Sequence, residues 1–176
     1  FKLIRELYFS IVVANIIRIY SQRGMALEAG CGSAQTSLCL TNDATQVVAL
    51  DFCISALQIA KKSKKKSGRN LELILADIYN MPFRKNMFDV AWNIGTVEHF
   101  ERPLSAIREI ARVCKKGGKL IFMVPYRYSP PLLLLKFIVK KIYRSSPLFT
   151  EEHAYTCAEA SALLEKAGLL EVESHV

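Results

Sequence analysis

A chain of 176 residues, 51% of them hydrophobic, can bury a sizeable core within one domain and is too apolar to be a disordered tail. Its formal charge of +8 gathers in Lys61, Lys62, Lys64, Lys65, Lys66 and Arg69; with no aromatic residues interleaved, the run reads as a solvated helix end and no nucleic-acid partner is expected. Five cysteines without CxxC spacing, and three histidines without paired ligand spacing, exclude a disulfide scaffold and predict no metal site.

Residues 1–22 read as a helix, with Leu3, Leu7, Ser10, Ala14 and Ile17 recurring on one face. A strand at Met25–Ala29 runs through Gly30-Cys31-Gly32 into a helix around Ala34–Leu40. A second strand, Gln46–Leu50, ends in Asp51, and a helix follows from about Ser55 into the lysine run. Leu71–Leu75 is a third strand ending in Ala76-Asp77. Past Met81-Pro82-Phe83, a fourth at Phe88–Trp92 gives way to "NIGTVEHFERP".

The clearest helix carries Leu104, Ile107, Ile110, Ala111 and Cys114 on one face. Lys115 and Lys116 suit its C-terminal end, and Gly117-Gly118 should stop it before a fifth strand at Leu120–Val124. Residues 125–155 form an insert too long for an ordinary connection. Thr156 and Glu159 then make a capping box for a helix burying Ala160, Leu163, Leu164 and Ala167, and "LLEVESHV" reads as a last strand. Strands alternating with helices imply an α/β fold: a doubly wound, mostly parallel Rossmann-like sheet of six or seven strands with helices on both faces.

Ligands of such sheets sit beyond the carboxyl ends of the strands. Four strands deliver polar or glycine residues there: Glu28 to Gly32, Asp51, Asp77, and Asn93 with Gly95. A dinucleotide fingerprint needs a glycine at the sixth place of GxGxxG, where this chain has Gln35. Glu28, two residues before the first glycine, suits an ammonium better than a phosphate, or else caps local amides. Asp51 can accept ribose hydroxyls or cap the next helix. Asp77 can accept an adenine amino group beside the N–H of Ile78, or serve as a turn aspartate.

These residues resemble the class I S-adenosylmethionine-dependent methyltransferases, in the small-molecule branch typified by ubiquinone and menaquinone biosynthesis. "LEAGCGSA" is similar to the family's first motif, "VVALD" to its second-strand acid and "LADIYNMPF" to its adenine-side motif. "FDVAWNIGTVEHFERPLSAIREIARVCKKGGKLIFMVP" resembles the block from fourth to fifth strand, and "HAYTCAEASALLEKAGLLEV" the late helix and strand. The likeness covers about residues 25–125 and 153–173. It departs at Ala34, where the family has a third glycine, and in stopping before an antiparallel seventh strand, which would leave a truncated chain or an exposed sheet edge.

The resemblance implies S-adenosylmethionine as cofactor, with S-adenosylhomocysteine as product. Ala29, Gly30, Cys31 and Gly32 would lie against its methionine and ribose portions. Glu28 would hold the amino group, Asp51 the ribose, and Asp77 with Ile78 the adenine. Phe52 would pack on the adenine face, and Asn93 and Ile94 would line the methionine end through their backbone. The implied reaction is methyl transfer to a small, apolar or lipid-like acceptor. The alternatives are a nicotinamide-dependent oxidoreductase and a methyltransferase-like binding module without turnover.

A base is needed only where the acceptor must lose a proton. His99 and His153 are the candidates, each with a purely structural alternative. Tyr126, Tyr128 and Tyr155 could position the acceptor or simply pack. The insert should overhang the methyl group. Within it, residues 130–144 read either as a core-packed lid helix or as an amphipathic helix making peripheral membrane contact, with Leu132–Leu135 against Lys136, Lys140, Lys141 and Arg144. No leader is readable from Phe1, whose place at the start allows for a missing N-terminus. The longest apolar stretches fall short of the ~20 residues that span a bilayer. The expectation is one cytoplasmic domain: an N-terminal helix (1–22), a cofactor core (23–124), an insert (125–155) and a last helix and strand (156–176).

Overall fold

A computed structural model describes residues 2–20, 24–41, 45–129 and 153–175, with the side chains of residues 2–9 and 45 left aside. Most of the insert, residues 130–152, lies outside the described residues, and with it the reading of 130–144 as lid or membrane helix.

The elements in chain order are α1 (Lys2–Tyr20), β1 (Gly24–Ala29), α2 (Gln35–Leu40), β2 (Thr45–Asp51), α3 (Ile54–Ser67), β3 (Leu71–Leu75), β4 (Phe88–Ile94), α4 (Pro103–Val113), β5 (Cys114–Met123) and α5 (Cys157–Lys166). Short 3-10 turns occupy Ile78–Asn80 and Val97–His99. The five strands stand in the order β3-β2-β1-β4-β5. The pairs β1–β2, β1–β4 and β2–β3 are parallel, with Glu28 opposite Ala49 on one side and Trp92 on the other. Strand order reverses between β1 and β4, which is where an open parallel sheet leaves its binding crevice.

Burial follows from that order. Ala26, Leu27 and Ala29 of β1, Val47 to Leu50 of β2, and Val90 to Trp92 of β4 are nearly solvent-free, as befits strands covered on both faces. Edge strand β3 buries Leu71 but leaves Leu75 exposed. On α1, Ser10, Val13, Ala14 and Ile17 are buried at helical spacing, in keeping with the face read from the sequence. Helix α3 places Lys64, Lys65 and Lys66 in its last turn, where positive charge complements the helix dipole, and Gly68 closes it at φ 67°.

Several expected boundaries need correction. Helix α4 ends at Val113, and its buried residues are Ala106, Ile107, Ile110 and Val113. Cys114 to Gly118 belong to β5, not to the end of the helix. The stretch is drawn beside β4, its hydrogen-bonded neighbour in the sheet; Lys115 Nζ pairs with Asp89 Oδ1 at 2.7 Å, and Met87 N donates to Val113 O at 2.7 Å. The glycines bend the strand, with Gly117 at φ 76°, instead of terminating a helix. The last strand also fails to form, because residues 169–175 carry no strand, and the described sheet has five strands instead of six or seven. The Thr156–Glu159 capping box is present, but Ala160, Leu163, Leu164 and Ala167 of α5 are only half-buried.

By internal contacts the chain divides into two compact units: Phe1–Ile94 with Arg108–Phe122, and Gly95–Ile107 with Met123–Val176. In the second, the two described ends of the insert meet. Tyr126 bridges Tyr155, and Arg127 donates to Ala154 O and pairs with Glu159 Oε1 at 2.9 Å.

Candidate functional site

The glycine loop is fastened to β2. Gly30 N and Cys31 N both donate to Leu50 O, at 2.8 and 2.9 Å, and Gly32 N donates to Asp51 Oδ2 at 2.7 Å. Ala34 N turns back to Cys31 O at 2.8 Å. Gly30 and Gly32 take φ of 79° and 51°, a left-handed geometry that glycine adopts without penalty. Ala34 takes the same region at φ 56°, at a cost of about 1–2 kcal/mol for an L-residue. Four loop amides are thus spent within the protein, and two buried carboxylates stand beside them. A pyrophosphate would meet negative charge here, which argues against a dinucleotide.

Glu28, at the end of β1, is 4% exposed. Its Oε2 accepts from Ser37 N at 3.1 Å and from Ser37 Oγ at 2.5 Å, tying β1 to α2 beneath the loop. Burial pushes its carboxyl pKa up to about 7, against the pull of the Ser37 and Trp92 donors, and the Asp51 charge adds to the rise. The Trp92 indole Nε1 is buried, with no hydrogen-bond partner among the described residues. It acts on Glu28, its neighbour across the ladder, as a nearby dipole and not as a formed bond. Cys31 lies in the field of both acids. Burial first, then Glu28 and Asp51, push its thiol far up, so it stays protonated.

Asp51 is buried and uses both oxygens, Oδ2 for Gly32 and Oδ1 for Cys53 N at 2.8 Å. One acid thereby joins the glycine loop to the start of α3. Asp77 is exposed and caps the first 3-10 turn, accepting from Tyr79 N at 2.9 Å, while the Ile78 side chain is buried. Phe52 is 74% exposed. Asn93 is fully buried, with Nδ2 donating to Ala29 O at 2.5 Å across the point where strand order reverses; Ile94, the next residue, is half-buried.

Glu28, Ala29, Gly30, Cys31, Gly32, Asp51, Phe52, Asp77, Ile78, Asn93 and Ile94 all belong to the first compact unit. Parallel pairing sets the ends of β1, β2, β3 and β4 side by side, with Ala76 N donating to Asp51 O at 3.1 Å. His99 and His153 belong to the second unit and are both exposed. His99 ends its 3-10 turn next to buried Glu98. The His153 ring lies 5.8 Å from that of Tyr155, which is 8% exposed. Tyr126 and Tyr128 meet edge to face at 5.9 Å.

Sequence reasoning missed Ser37, the Trp92 indole and the Asn93 side chain. For Trp92 and Asn93 the one signal was a polar group within an apolar run; Ser37, which follows Gln35 and Thr36, carried none. It also missed Glu109 and Arg112, which an i,i+3 acid–base pair on α4 could have flagged.

The chemistry of the residues present fits an adenosyl sulfonium cofactor. Three carboxylates, two of them buried, close strands on one edge of the sheet and are the kind of acceptor that an ammonium, ribose hydroxyls and an amino group need, and no lysine or arginine is among the eleven. The fold and this rim define a class I methyltransferase domain. Residues 27–122 match the family described as "Methyltransferase domain", more than half of the chain, and the chain belongs to that family.

The mouse (Mus musculus) protein named "Probable tRNA methyltransferase 9B" is 32% identical over 57% of this chain and 21% of its own length. The demethylmenaquinone methyltransferase of Bacillus pumilus is 28% identical over 85% of this chain and 72% of its own length. A solved SAM-dependent methyltransferase of Thermotoga maritima superposes with a TM-score of 0.69 at 24% identity, over 93% of this chain and 72% of that one, and so shares the fold. The chain spans about a fifth of the length of the tRNA methyltransferase relatives it matches. Family and fold together support S-adenosylmethionine as the cofactor.

Proposed function

We propose that this chain transfers a methyl group from S-adenosylmethionine to a small, apolar or lipid-like acceptor. The observation that carries the reading is the set of acids Glu28, Asp51 and Asp77 ending three adjacent parallel strands, beside a glycine loop whose amides already serve Leu50 and Asp51. In this reading Glu28 acts from beneath the loop, where a bound ammonium would favour its ionised form. Asp51 offers an oxygen to the ribose. Asp77 and the N–H of Ile78 meet the adenine, and exposed Phe52 covers its face. Asn93 and Ile94, with Ala29 to Gly32, line the methionine end.

When bound, S-adenosylmethionine supplies a methyl group already activated on a sulfonium sulfur. The protein's own task is alignment and exclusion of water. His99 or His153 would take a proton from the acceptor at a ring nitrogen, where the acceptor carries one.

The quinone-type acceptor is favoured by the Bacillus pumilus relative, which is matched along most of both chains. The apolar and basic stretch 130–144 would give such a lipid-soluble acceptor its approach by peripheral membrane contact. No helix among the described residues is long and apolar enough to cross a membrane. The second reading is tRNA methylation. It is favoured by the mouse relative's name and by the exposed Lys61, Lys62, Lys65, Lys66 and Arg69 of α3 and its cap.

The test is titration with S-adenosylhomocysteine and with NAD, followed by turnover of labelled S-adenosylmethionine on reduced demethylmenaquinone and on bulk tRNA. Binding of S-adenosylhomocysteine alone, with methylation of the quinol, supports the proposal. Binding of NAD alone overturns it, and methylation confined to tRNA moves the acceptor to the second reading. Charge reversal at Lys136, Lys140 and Lys141 should reduce co-sedimentation with anionic liposomes; unchanged co-sedimentation removes the membrane contact.

A further inference from the structure

The loop leading away from Asp77 and Ile78 is held by two side chains of α4. Glu109 Oε1 accepts from Met81 N at 2.9 Å. Arg112 donates from Nη1 to Phe83 O at 2.9 Å and from Nη2 to Met81 O at 3.3 Å. The two side chains are joined fork to fork, Nε to Oε2 and Nη2 to Oε1, both at 2.7 Å. Both polar groups of the Met81 backbone are therefore claimed by one ion pair.

That grip reaches the rim through a short, continuous path. Asn80 N donates to Asp77 O at 3.1 Å and Tyr79 N to Asp77 Oδ1 at 2.9 Å, so Asp77 to Met81 form one hydrogen-bonded turn. Ile78 and Met81 are buried to 4% and 3% exposure. Phe83 packs edge-on against Phe88 at 5.0 Å, which anchors the far side of the loop to β4. Glu109 and Arg112 thus add the side-chain hold on a turn whose other ties are its own backbone bonds and the burial of Ile78 and Met81. A bidentate guanidinium–carboxylate pair is also the arrangement that best fixes direction as well as distance.

We propose that Glu109 and Arg112 are positioning residues that set base selectivity, holding the Asp77–Ile78 turn where it can tell an adenine from a purine lacking its amino group. The inference rests on the adenine role given to Asp77 and Ile78 above. Neither residue touches the ligand. They act by keeping the Asp77 carboxylate and the Ile78 amide at a fixed distance from each other and from the loop around Gly32. A site built to bond an amino group rejects the analogue without it only while its own groups stay in place.

The experiment compares the affinities of S-adenosylhomocysteine and S-inosylhomocysteine, which carries an oxo group in place of the amino group. It is run on the wild type and on Arg112→Lys and Glu109→Gln at a temperature where circular dichroism shows all three folded. Arg112→Lys keeps the charge but loses the fork; Glu109→Gln keeps an acceptor for Met81 and loses the charge. The wild type should prefer the adenosyl ligand by more than about tenfold. The variants should lose most of that preference, through weaker binding of the adenosyl ligand and little change for the inosyl one.

If the preference survives in either folded variant, the pair only stabilises α4 and its loop, and the proposal is overturned. If the wild type binds both ligands equally, the adenine role fails first and takes this inference with it. A wild type that binds neither ligand points instead to failure of the cofactor reading.

Discussion

Asp51 Oδ2 lies 2.7 Å from Gly32 N, so the acid ending the second strand holds the loop that follows the first. Its other oxygen takes Cys53 N, and nothing else described joins β1, β2 and α3 through one side chain. Asp51→Asn cannot keep both bonds, since its amide NH₂ must face one of two N–H donors. The expected cost is about 1–3 kcal/mol of stability, with a larger loss in S-adenosylhomocysteine affinity. Denaturant titration and calorimetry measure the two separately. Unchanged ligand affinity would remove Asp51 from the binding site.

Glu28 predicts a pH signature. Its carboxyl ionises near 7 in the folded chain against an ordinary value of 4.5, so between these limits the folded state keeps a proton that the unfolded state has released. The stability that Glu28 contributes is therefore fully present below about pH 4.5 and is lost as pH rises to about 7, by about 3 kcal/mol at 1.36 kcal/mol per unit. Glu28→Gln can still accept from Ser37 and has no proton to lose. The wild type should therefore lose stability relative to this variant as pH rises across that window. Parallel pH profiles for the two proteins would show that Glu28 is already ionised in the fold.

Gly32 separates backbone strain from ligand approach. A Cβ placed on it meets no protein atom within 4 Å, yet φ is 51°. Gly32→Ala should cost about 1 kcal/mol of stability from the left-handed geometry alone. With the cofactor in that space, as the proposed site has it, affinity for S-adenosylhomocysteine should fall by more than about tenfold, beyond anything the strain accounts for. A variant with full affinity and only the stability loss would mean that the ligand stays away from this glycine.

At the far end of the chain, Thr156 and Glu159 cap α5 reciprocally: Glu159 N donates to Thr156 Oγ1 at 3.2 Å and Thr156 N to Glu159 Oε2 at 2.8 Å. Thr156→Ala should cost about 1 kcal/mol. Because α5 buries no residue fully, that loss should appear as faster amide exchange over 157–166. Exchange no faster than in the wild type would mean that packing, not the cap, holds the helix.

What could be read in advance was whatever local chemistry writes into adjacent residues. The alternation of strands and helices, the glycine loop, the acids ending three strands and the Thr156 capping box all depend on neighbours within one turn or one strand. What failed depended on distant partners. Lys115-Lys116-Gly117-Gly118 has the composition of a helix end, yet it lies in β5, hydrogen-bonded beside β4, with Lys115 paired to Asp89 across the two strands. Residues 169–175 have the composition of a strand, but no described neighbour takes them up.

The same division runs through the site. Sequence alone determined that Glu28, Asp51 and Asp77 would stand at the carboxyl ends of three strands, because each closes an apolar run of strand length. Only the tertiary structure decided what each acid does there. Glu28 turned to Ser37 because α2 packs beneath the loop, Asp51 to Gly32 because β2 lies beside β1, and the loop after Asp77 to Glu109 and Arg112 because α4 crosses it. A buried carboxylate must find donors, and which donors are within reach is a property of packing that no stretch of the chain carries by itself.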